Sequence, residues 1–168
     1  GGPWAQTVII GHDFNGTPLP SSINIIGDSN ENRITLIGSQ VLPHFGVHAV
    51  NDQAEGMLLQ NINYLPGQEP GGNQENQHGH PFNAEPSATG TYTMTNVQLT
   101  MTDTSTGPGS NMQNGPWMQA PAVYNYNNVE FISGGFWTHG IFNAAATANF
   151  TDCSIIGQGS NLNSGVVN

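Results

Sequence analysis

One six-residue register recurs four times in this chain of 168 residues: apolar, variable, Asn or Asp, apolar, variable, apolar. It runs from Leu59 to Tyr64 around Asn61, from Met94 to Leu99 around Asn96, from Tyr126 to Phe131 around Asn128, and from Phe150 to Ile155 around Asp152. Such a phrase reads as strand, turn, strand. The Asn/Asp positions are 35, 32 and 24 residues apart, which fits stacked coils carrying loops of different length. Periodicity of this kind sets the architecture before local propensity does.

Around the register, β-rich runs alternate with Gly, Asn and Pro punctuation. Strands are expected at Thr7 to Ile10, Ile23 to Ile26, Ile34 to Ile37, Gly46 to Val50, Met57 to Tyr64, Thr91 to Met101, Ala122 to Ser133, Ile141 to Asn143, Ala148 to Ile156 and Val166 to Val167. No stretch has a helical period. A second phrase, at Gly46 to Asn51, Ala122 to Asn125 and Gly140 to Asn143, leads into the register, and Gly165 to Asn168 begins it again. The last coil therefore reads as unfinished, and the expectation is one all-β solenoid domain over residues 1–168, complete or a segment of a longer chain. Two insertions, about 65–90 and 104–121, read as long lateral loops.

The phrases Ser22 to Asp28, Arg33 to Ser39 and Gly56 to Tyr64 resemble the coils of right-handed parallel β-helix proteins of the pectate lyase and pectin methylesterase type, a superfamily that also includes phage tailspikes and autotransporter adhesins. The resemblance extends from about Val8 to Val167. It implies a right-handed parallel β-helix and is weak for function, since that superfamily holds enzymes and adhesins alike. In such a fold, apolar residues flanking Asn61, Asn96, Asn128 and Asp152 point into a narrow core. The four polar residues then hold corners, because Asn and Asp tolerate left-handed backbone angles and bond neighbouring amides. A structural corner ladder, not a catalytic set, is the expectation for them.

Composition limits the chemistry. Charged residues are 7% of the chain and the net charge is −10, with Arg33 the single Lys or Arg. Phosphate cannot be neutralised by such a surface, so nucleic acid and anionic membranes are poor partners. No apolar run is long enough to span a bilayer, and membrane insertion is not expected. The lyases of the resembling family use a basic residue with carboxylate-held calcium, and its esterases use paired aspartates beside an arginine; the basic half of both is nearly absent here. A non-enzymatic protein is the expectation. Asp52 with Glu55, and Asp103 with Glu130, remain as carboxylate pairs that the fold would have to bring together.

Other residues suggest binding. Tyr64, Phe82 and Trp117 are candidates to stack on a glycan or a partner from the lateral loops. His78, His80 and Glu75 would present two imidazoles and a carboxylate to a transition metal, although a flexible polar loop is the commoner meaning of such a stretch. Asp28 to Asn32 begins like a calcium loop, but Arg33 stands where Gly is needed and Ser39 where Glu is needed. No cofactor is expected, with calcium in some acidic loop left open. Cys153 is the only cysteine and reads as a small buried thiol. A surface made soluble by Asn, Gln, Ser and Thr suits an extracellular, cell-surface or virion-surface protein. The expected role is a structural or adhesive solenoid that forms homo-oligomers or filaments, or packs on partner chains, through coil ends and loops. A carbohydrate-binding or polysaccharide-cleaving β-helix is the alternative.

Overall fold

A computed structural model describes residues 8–11, 15–37, 45–50, 52–65, 80–102, 112–114, 117–118, 120–134, 137–143, 147–157 and 163–167. They form fourteen strands and, among the described residues, no helix: β1 (Val8–Ile10), β2 (Ser22–Ile26), β3 (Ile34–Ile37), β4 (Phe45–Ala49), β5 (Gly56–Leu65), β6 (His80–Ala84), β7 (Thr91–Thr102), β8 (Met112–Asn114), β9 (Trp117–Met118), β10 (Val123–Gly134), β11 (Trp137–Asn143), β12 (Thr147–Thr151), β13 (Ser154–Gly157) and β14 (Asn163–Val167). The strands make two sheets, each of seven. One follows β1-β4-β6-β9-β11-β14, with β8 also on β11; the other follows β12-β10-β7-β5-β2, with β13 also on β10 and β3 also on β5. Every pairing described between these strands is parallel.

Parallel neighbours cannot be joined by a hairpin, so the chain must leave a sheet before returning to it. Here it visits the two sheets in turn. Along the long strands β5, β7 and β10 buried apolar residues alternate with more exposed ones, as a half-buried pleated surface requires. In the second sheet Met57, Tyr92 and Tyr124 share one register column, and Leu59, Met94 and Tyr126 share the next. All six are buried. The inward parity then changes across the corner residue, so that Ile62, Val97 and Val129 and then Tyr64, Leu99 and Phe131 also face the core. One left-handed residue between two strand halves produces that change.

The first sheet supplies Val47, Ala49, Phe82, Ala84 and Met118 to the same core. Phe82 meets Tyr92 at 5.0 Å between ring centroids, and Tyr92 stacks on Tyr124 at 5.3 Å. Such pairs contribute about 1 kcal/mol each beyond area burial. Where the chain passes from the first sheet to the second, Ala54, Ala88 and Ala120 are fully buried. Small side chains allow the sheets to approach there. Backbone bonds continue the ladder through this passage: Thr89 N–H donates to Ala54 O at 2.9 Å, Thr91 N–H to Glu55 O at 3.1 Å, and Val123 N–H to Gly90 O at 3.1 Å.

Three features differ from the sequence expectation. The segment 65–90, read as a loop, contains β6, which pairs with β4 at Val47 opposite Phe82. The segment 104–121 contains β8 and β9, both on β11. Short strands among Gly and Pro carry too little alternation to be seen alone; their partners decide them. Finally, Ala122 to Asn125 is not equivalent to Gly46 to Asn51, because it opens β10 in the second sheet while Gly46 lies on β4 in the first.

Candidate functional site

The four register residues are the positive-φ non-glycine residues among those described: Asn61 at 56°, Asn96 at 54°, Asn128 at 53° and Asp152 at 53°. Asn is the side chain that accepts this conformation most readily after Gly. The amides also bond to one another along the sheet. Asn128 Nδ2 donates to Asn96 Oδ1 at 2.8 Å, Asn96 Nδ2 to Asn61 Oδ1 at 3.1 Å, and buried Asn61 Nδ2 to Gly27 O at 3.0 Å. Three of the four register side chains are thus tied into the fold.

Tyr64 and Phe82 do not form a ligand platform. Tyr64 is 1% exposed and Phe82 is 0% exposed, so neither ring offers a face to a sugar or a partner chain. For Tyr64 the signal was present in sequence, since it holds the same register position as Leu99 and Phe131. Trp117 is on β9, opposite Asn83 and Phe142. Glu75 and His78 lie outside the described residues, and His80 begins β6 opposite Phe45. Among the described residues no group of three or more His, Cys, Asp or Glu is placed to hold a metal.

Two of the described carboxylates, those of Glu55 and Glu130, accept from side chains on neighbouring segments. Ser21 Oγ donates to Glu55 Oε2 at 2.9 Å. Gln98 Nε2 donates to Glu130 across the β7–β10 pairing; Asp103 lies outside the described residues. In the stretch from Asp28 to Asn32, Asn32 N–H donates to Ser29 Oγ at 3.1 Å, and Arg33 donates twice to Asn30 Oδ1, from Nε at 3.0 Å and from Nη2 at 2.6 Å. A guanidinium held on Asn30 makes this a side-chain-fixed turn between β2 and β3. Cys153 is half-buried, with Sγ 3.2 Å from Tyr126 O.

Burial pushes the hydroxyls of Tyr64, Tyr92, Tyr124 and Tyr126 well above the ordinary tyrosine range; the charge of Glu55 adds to the effect at Tyr92. Three have described hydrogen-bond partners: Tyr92 donates to Ala54 O at 3.1 Å, Tyr124 to Ala120 O at 3.4 Å and Tyr126 to Met118 Sδ at 2.9 Å. These are satisfied core phenols. None is poised for proton transfer.

Before the corner, the second sheet presents a broad uncharged face to solvent. Leu58 and Gln60 of β5, Thr91, Thr93 and Thr95 of β7, Val123, Asn125 and Asn127 of β10, and Thr147, Asn149 and Thr151 of β12 point away from the core and are all at least partly exposed. Thr93, Asn125 and Asn149 share one register row, as do Thr95, Asn127 and Thr151.

No protein-family model, no curated protein and no solved structure matches the chain.

Proposed function

We propose that this chain is a right-handed parallel β-helix with a non-enzymatic, structural or adhesive role outside the cell or on a cell or virion surface, and that it packs on copies of itself or on partner chains. The observation that carries the reading is the fate of the core columns at the last strands of the second sheet. Tyr126 is 1% exposed and Phe131 is 0% exposed, whereas their register partners Phe150 and Ile155 are 45% and 42% exposed. At the opposite edge Ile34 is 40% exposed while its partner Ile62 is 0% exposed. Core-type side chains thus stand exposed on the outer strands at both sides of one sheet, the kind of edge that can template pairing with another chain.

Light scattering after size separation, across a wide concentration range, tests the reading, with electron microscopy of the same samples. Particle size is expected to rise with concentration, and Phe150→Asp is expected to suppress the rise. A strictly monomeric particle at every concentration would overturn it.

A further inference from the structure

The outer face of the second sheet, before the corner, carries no charged side chain in a chain of net charge −10. From β2 through β5, β7 and β10 to β12, the outward positions are Ser, Asn, Ile, Leu, Gln, Thr and Val apart from Gly56. Carboxylates beside these strands belong to the rims: Asp28 follows β2, Glu55 precedes β5, Asp152 follows β12, and Glu130 lies past the corner of β10. A face without charge has no ion-pair partner to offer a charged ligand, so what it can bind must be held by hydrogen bonds and apolar contact.

The face is also regular and partly pre-set. Parallel strands stand about 4.8 Å apart, and same-face residues along a strand about 6.6 Å apart, so the in-register rows form a grid of hydroxyls and amides. Asn149 Nδ2 donates to Asn125 Oδ1 at 3.0 Å, and Asn127 Nδ2 to Thr95 Oγ1 at 3.5 Å. Each amide so held retains a further donor and acceptor capacity toward solvent. Side chains fixed by such bonds lose less conformational freedom when a ligand arrives. Val123, 40% exposed, stands between Thr91 and Thr147, and Ile26, 55% exposed, stands at the edge beside Gln60, so apolar contact is offered beside hydrogen-bonding groups. Alternating hydroxyls and apolar C–H faces, repeated along a chain, are the chemistry of a neutral polysaccharide.

We infer that this face binds a neutral, hydroxyl-rich polysaccharide lying across the strands. Such binding needs the sheet but not association between copies. It also excludes polyuronates, which the net negative charge repels.

Affinity electrophoresis and pull-down of the full chain on cellulose, chitin, mannan and a neutral galactan, with polygalacturonate as the charged comparison, test the inference. Retention on at least one neutral polymer, unchanged by added salt, is expected, and none on polygalacturonate. Thr93→Glu and Asn149→Asp should each weaken retention about tenfold, the equivalent of one or two lost contacts, while Ser87→Glu, on the exposed turn between β6 and β7, should not. Thr93→Val, which suits a strand and removes only the hydroxyl, provides a second reading should an acidic variant fail to fold; it should weaken retention too. No retention on any neutral polymer overturns the inference, as does equal retention by every folded variant or preference for polygalacturonate. Inhibition of ice growth without polymer retention would assign the grid to ordering water and overturn it as well.

Discussion

Asn128 Nδ2 lies 2.8 Å from Asn96 Oδ1 although 32 residues separate them in sequence. That contact ties together the β7 and β10 corners. Asn96 takes part in two ladder bonds and holds φ at 54°, so two separable costs meet at one residue. Each hydrogen bond is worth about 1 kcal/mol, and a left-handed Ala costs about 1–2 kcal/mol. Asn96→Ala should therefore lose about 3 kcal/mol in denaturant unfolding. Asn96→Gly accepts the backbone angle without the bonds and should lose less than Ala. Equal losses for the two variants would show that φ contributes nothing.

The fourth corner interrupts the ladder. Asp152 holds φ at 53° like the others, but a carboxylate lacks the amide donor that Asn128 and Asn96 use toward the preceding corner and Asn61 uses toward Gly27 O. Asp152→Asn supplies that donor next to Asn128 and keeps the backbone tolerance. A gain of about 1 kcal/mol is expected, read as a higher unfolding midpoint with an unchanged denaturant slope. An unchanged or lower midpoint would mean that the fourth corner does not align with the third.

Two glycines with similar backbone angles should respond very differently to alanine. Gly90 has φ +84°, and a Cβ there would collide with Glu55 O, whereas at Gly16, φ +82°, nothing lies within 4 Å. Glu55 O already accepts from Thr91 N–H at 3.1 Å, so its movement would disrupt the passage between sheets. Gly90→Ala should cost more than about 4 kcal/mol or prevent folding, while Gly16→Ala should cost about 1 kcal/mol for the angle alone. Circular dichroism during thermal unfolding distinguishes them.

Much of this was written in local chemistry. Asn61, Asn96 and Asn128 were legible as corners because few side chains accept a left-handed angle and the flanking apolar residues repeat around them. The same register placed Tyr64 inward, in the position of Leu99 and Phe131, and reading it as a ligand platform gave loop proximity more weight than register. Phe82 was different. Its burial depends on Val47 opposite it and on Tyr92 beneath it, and neither neighbour is close in sequence. The grid of Thr93, Asn125 and Asn149 was invisible for the same reason: Thr alternation shows within β7, but the rows appear only once parallel register aligns three strands.

Alkaline pH should unfold this protein steeply, and the sign follows from the buried phenols. Tyr64, Tyr92, Tyr124 and Tyr126 ionise in the folded state only well above the ordinary range because burial opposes the charged form, while in the unfolded chain they ionise near pH 10. Above that pH the unfolded chain holds fewer protons than the folded one, so stability falls as pH rises; below it the contribution is fully present. Each tyrosine contributes up to about 1.4 kcal/mol per pH unit. Tyr92→Phe removes one such group together with its bond to Ala54 O at 3.1 Å. It should therefore lose about 1 kcal/mol at neutral pH and show a shallower decline above pH 10, about one proton less in slope. Unfolding followed by tyrosinate absorbance at stepped pH measures both. Ionisation of all four phenols near pH 10 without loss of β structure would contradict their burial.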